Sequence, residues 1–128
     1  MELLFYFTLL LIKHTVVDLA LQHYIVGQKK LQWLNPKAHW HYAQHGIGTM
    51  LVTFPLTGDL LLSASVSLLD YLIHWHVDWA KHHWIDRYGW TSADAGFWWA
   101  AAIDQTLHYL TYCAIVMLVA SHVFYALY

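Results

Sequence analysis

The chain has 128 residues, enough for one domain and not for two. Hydrophobic residues make up 59% and charged residues 11%, against roughly 45–50% and 25% in soluble domains. A net charge of −2 with no basic tract argues against a nucleic-acid partner, and the single cysteine, Cys113, excludes an internal disulfide.

Several apolar runs approach the length of a bilayer crossing. The chain therefore reads as all-α, an integral membrane bundle of four transmembrane helices forming one domain over residues 1–128. The first predicted helix covers Leu3 to about Ile25. Glu2 stands where a signal peptide carries basic residues, and Lys13-His14 interrupts the apolar run, so this helix is read as retained. His14, Asp18 and Gln22 follow at i, i+4, i+8 spacing and share a face. Asn35 and Pro36 read as the N-cap and first-turn proline of a second helix that ends near Phe54. It opens with His39, His41 and His45, and Gly46 and Gly48 allow a neighbouring helix to come close. Pro55 and Thr57-Gly58-Asp59 make a short turn, so the third helix packs antiparallel to the second.

The third helix, Leu60 to Arg87, carries the strongest signal. Its first ten residues are apolar or small; then Asp70, His74 and Asp78 appear at four-residue spacing. Such residues stack on one face, each about 6 Å along the axis from the last. Ionisable groups at membrane depth are costly, so the row is expected to face a partner, a metal or water. Tyr88-Gly89-Trp90 breaks the pattern, and Thr91 with Asp94 is similar to a capping box. The fourth helix runs from there to near the chain's end. Trp98 and Trp99 suit the interface, and Asp104, Gln105 and His108 lie further in.

Lys29, Lys30 and Lys37 flank the first connection and Lys81 and Arg87 the third, while the second turn and both ends have no Lys or Arg. The positive-inside rule then puts the first and third connections in the cytoplasm and both termini on the other side. In that topology the ionisable groups of all four helices fall in the cytoplasmic half of the bilayer.

Carboxylate and imidazole ligands without thiolate suit Zn²⁺, Mn²⁺ or Fe²⁺. His14/Asp18, His74/Asp78 and Asp104/His108 are i, i+4 pairs that can each offer two ligands from one helix. The candidate metal ligands are His14, Asp18, His45, Asp70, His74, Asp78, Asp104 and His108, with His74 rather than His76 in register with the aspartates. The competing reading is a set of interhelical hydrogen bonds. His39, His41, His82 and His83 are expected near the interface and solvated, and His122 is expected to be a surface or packing residue. Lys13 either neutralises a carboxylate of the cluster or snorkels away from it.

KHTVVDLALQ, DYLIHWHVDWAK and DQTLH resemble the motifs of a bacterial and phage family of small multi-pass membrane proteins of unknown function. The likeness covers nearly the whole chain, with Asp104, Gln105 and His108 its most specific part. It implies a small protein of the bacterial cytoplasmic membrane with a shared polar core, and no particular activity. More remotely, the arrangement is similar to membrane-bound metal-dependent hydrolases. Three functions follow: a metal-dependent hydrolase; a structural or accessory subunit contacting other membrane proteins; or a proton, ion, haem or pigment carrier. The lipid bilayer is the partner common to all three.

Overall fold

The computed structural model describes residues 3–21 and 32–126. Among the described residues the chain forms four α-helices and no strand: α1 (Leu3–Thr15), α2 (Pro36–Thr57), α3 (Leu60–Tyr88) and α4 (Ala95–Ala126). At Val16 α1 widens into a π-helical stretch, Val16–Leu21. Gln22, Lys29 and Lys30, on which part of the sequence reading rested, lie outside the described residues.

Local chemistry sets the helix ends. Asn35 adopts an extended backbone, and its side chain accepts from the N–H groups of Lys37 and Ala38, with Pro36 in the first turn. α2 continues through Pro55 to Thr57, three residues past the expected end at Phe54. Proline removes only its own N–H donor there, and Gly58, at φ 65°, closes the last turn with its N–H on the Phe54 carbonyl. The Asp59 side chain accepts from Leu62 N–H and caps α3, which Gly89 ends at φ 64°. Before α4, Asp94 accepts from both the backbone N–H and the hydroxyl of Thr91, at 2.8 and 2.9 Å. That is the reaching-back half of the anticipated capping box.

α2 packs on α3, α3 packs on α4, and α1 closes the bundle against α2 and α4. Two glycines of α2 permit the closest approaches. A Cβ on Gly46 would lie 3.0 Å from the Ser67 carbonyl of α3, and one on Gly48 would collide with the aliphatic stem of Lys13.

The interior divides along the bundle axis. Toward the α2–α3 turn it is apolar: Tyr6, Leu10, Val66, Tyr112, Ile115 and Val119 form one buried cluster. Toward the other end the buried side chains are mainly His, Asp and Lys. The outside is the reverse of a soluble protein, with Leu4, Leu19, Leu51, Leu61 and Met117 all largely exposed. Three helical stretches, Leu3–Leu21, Leu60–Tyr88 and Ala95–Val123, are long and apolar enough to cross a membrane. α2 is not among them, because three histidines lower its average hydropathy.

Candidate metal centre

Two carboxylates anchor the polar layer. Asp18 comes from the π-helical stretch, where the widened turn is a feature frequent at functional sites. Its Oδ1 lies 3.1 Å from His45 Nε2, 3.2 Å from His41 Nε2 and 3.6 Å from His74 Nε2, while Oδ2 lies 3.4 Å from His14 Nε2. Asp78, on α3, is the second. Its Oδ2 is 3.6 Å from Nε2 of both His41 and His74, and its Oδ1 is 3.8 Å from His108 Nε2. His41 and His74 thus face both carboxylates.

The imidazoles are stacked. His74 lies between His45, with ring centroids 3.5 Å apart, and His108, at 4.0 Å, and the planes are within 21° and 14° of parallel. Neither ring nitrogen of His74 makes a hydrogen bond among the described residues, nor does His45 Nδ1 or His108 Nε2. Burying such groups unsatisfied costs about 1–3 kcal/mol each. Two groups of side chains have ligand atoms close enough to hold a metal ion: Asp18, His41, His45 and His74, and then His74, Asp78 and His108. The second is extended by Asp104, whose Oδ1 is 3.5 Å from His108 Nε2 and whose Oδ2 is 2.9 Å from Lys81 Nζ. Lys81 also lies 3.3 Å from Asp78.

Two of the candidate ligands take other partners. His14 is hydrogen-bonded on both sides of its ring, to Tyr112 OH at 2.9 Å and to Gln105 Oε1 at 3.2 Å. Asp70 lies about two turns along α3 from Asp78 and accepts from Lys13 Nζ at 2.6 Å and Thr49 Oγ1 at 2.5 Å. Lys13 therefore neutralises a carboxylate and does not snorkel. It also donates to Tyr112 OH at 3.2 Å, which links Asp70 to His14 and the cluster.

His41 corrects the sequence reading: expected in solvent near the interface, it is fully buried between Asp18 and Asp78. Its i, i+4 spacing to His45 was the available signal. Lys81, i+3 from Asp78, and Tyr112, i+4 from His108, extend rows already visible in the sequence. His39 is half-buried and bonded to Tyr71 OH, whereas His76 and His83 are exposed. His122 lies at the far end of the bundle, 2.9 Å from Asp59.

The class these features define is an all-helical protein, three of whose helices are long and apolar enough to cross a membrane, with buried His/Asp groups able to hold a metal ion. The chain belongs to the family described as protein of unknown function (DUF3307), whose model matches residues 6–127. No curated protein and no solved structure matches it.

Proposed function

We propose that this protein is a metal-dependent hydrolase of the bacterial cytoplasmic membrane, with Zn²⁺, Mn²⁺ or Fe²⁺ held by Asp18, His41, His45, His74, Asp78 and His108. One observation carries the metal site: four imidazole Nε2 atoms from three helices lie 3.1–3.8 Å from two shared carboxylates. Most of these separations are too long for hydrogen bonds. They match a coordination shell, because a tetrahedron with bonds of about 2.1 Å has edges of about 3.4 Å. Tyr112 and Gln105 orient His14 beside Asp18, in the way that groups bonded to ligands tune metal sites.

A bound divalent cation lowers the pKa of a coordinated water toward neutrality. Asp104, beside His108 and held by Lys81, is the carboxylate positioned to take the proton.

In this reading α2 also crosses the bilayer. Its 22 residues span about 33 Å, its histidines and threonines at 41, 45, 49 and 53 are buried, and Trp40, Ile47, Leu51 and Phe54 face outward. The basic residues put the α3–α4 connection in the cytoplasm and both termini outside.

A structural role, as subunit of a larger membrane assembly, is favoured by a different observation. Lys13, Thr49, Asp70 and Tyr112 tie all four helices together through a buried ion pair and hydrogen bonds that need no metal. Elemental analysis of detergent-purified protein, with and without chelator, separates the two. The hydrolase reading expects stoichiometric metal and loss of thermal stability on chelation. Metal-free protein that gains no stability from added Zn²⁺ or Mn²⁺ supports the structural reading.

A further inference from the structure

The apolar outer face of the bundle is interrupted between α3 and α4 by a groove of about 200 Å³. Val77, Ala80, Ala100, Ile103 and Leu107 give it apolar walls, and Lys81 and Asp104 line it as well. Those two are the residues that join the groove to the candidate metal centre, through the contacts of Lys81 with Asp78 and of Asp104 with His108. His41, His45, His74 and Asp78 are fully buried, whereas the Lys81 side chain keeps 17% of its surface. The groove is therefore an edge at which the polar layer meets the lipid-facing surface. Trp84 lines it toward the α3–α4 connection, on the side where Trp98 and Trp99 are exposed at the level expected for headgroups.

Charge specifies what the groove would take. Asp18, Asp78 and Asp104 with Lys81 carry a net −2 when the histidines are neutral, as ligand imidazoles are. Two divalent cations, with His74 ligating one of them and Asp78 and His108 facing the other, convert that to +2. An uncompensated +2 in a low-dielectric interior is strongly unfavourable, so the loaded centre calls for a dianion.

We propose that the α3–α4 groove seats an acyl chain of a membrane lipid whose phosphate monoester headgroup reaches Lys81 and the metal-loaded centre. This rests on the hydrolase reading and names its substrate class. In the reaction the water oxygen bonds to phosphorus and the phosphorus–oxygen bond to the lipid breaks. The proton taken by Asp104 passes to the departing lipid oxygen, so a lipid alcohol and inorganic phosphate leave with no redox change.

The test uses full-length protein loaded with Mn²⁺ or Zn²⁺ in phosphatidylcholine vesicles containing phosphatidic acid, with soluble glycerol phosphate as a second arm. Released phosphate and bound metal are both measured. Release from phosphatidic acid is expected to exceed release from glycerol phosphate by about tenfold or more, since truncated substrates lose the binding energy of the missing chain. Ile103→Trp, at a half-exposed groove position, is expected to cut release from the lipid about tenfold with metal content unchanged. Leu118→Trp, exposed on α4 away from the groove, is expected to change neither quantity. Metal-loaded protein that releases no phosphate from the lipid, or Ile103→Trp acting at the wild-type rate, overturns the lipid assignment and leaves the metal site standing. Protein that takes up no metal overturns both.

Discussion

His74→Ala tests the metal centre at the one side chain common to both ligand groups. The ring is fully buried and stacked on both faces, so its removal opens a cavity and destabilises the bundle whether or not metal binds. Absolute stability therefore does not discriminate. The increment produced by metal does. At a free metal concentration of about 100 Kd, binding stabilises the native state by about 2.7 kcal/mol. Removing a group that merely orients a metal ligand weakens affinity about 10–100-fold, and loss of a ligand is expected at or above the upper end. A 100-fold rise in Kd brings the same concentration to Kd itself, where the increment falls to about 0.4 kcal/mol. The assay is thermal unfolding in detergent across a Zn²⁺ or Mn²⁺ titration, with bound metal measured in parallel. His122→Ala is the control, being exposed at the far end of the bundle and paired only with Asp59 among the described residues. A His74→Ala protein that keeps the full wild-type increment would refute the reasoning.

Lys13→Met leaves the Asp70 carboxylate buried with only Thr49 as side-chain donor among the described residues, and is expected to cost about 3–5 kcal/mol. Combining it with Asp70→Leu should restore most of that in denaturation measurements; a double variant as unstable as the single one contradicts a buried ion pair. Cysteine introduced at Arg87 should react only with reagent on the cytoplasmic side and cysteine at Thr57 only from outside, and the reverse pattern overturns the topology. Asp59, outside the stretches apolar enough to cross a membrane, is held below the ordinary carboxylate range by the Leu62 N–H and, secondarily, by His122. A depressed carboxyl stabilises the fold above its unfolded-state pKa, and that contribution disappears as pH falls through the folded-state value. Asp59→Asn should therefore flatten the acid limb of the stability–pH curve, and an unchanged limb would exclude the cap as its source.

The helices and their punctuation were legible in the chain because they depend on neighbours in sequence. Asn35-Pro36, Asp59, Gly58 and Gly89 act on backbone groups within a turn of themselves, and the Asp70, His74, Asp78 row follows from helical pitch alone. The apolar length of the first, third and fourth helices, enough to cross a membrane, is likewise readable without reference to any contact. Which polar groups meet is another matter, since it depends on how each helix is rotated about its axis. Asp18, in the π-helical stretch, stands opposite His41 and His45 of α2, a pairing across helices that spacing within one segment does not contain. The same rotation of α2 buries His41, four residues from His45, while His39 stays half-buried. Asp70 shares a face with His74 and Asp78 in sequence, yet Lys13 reaches it across the bundle because Gly48 leaves room for the lysine stem. Helical periodicity sorts residues by face, and only tertiary packing decides what stands opposite that face.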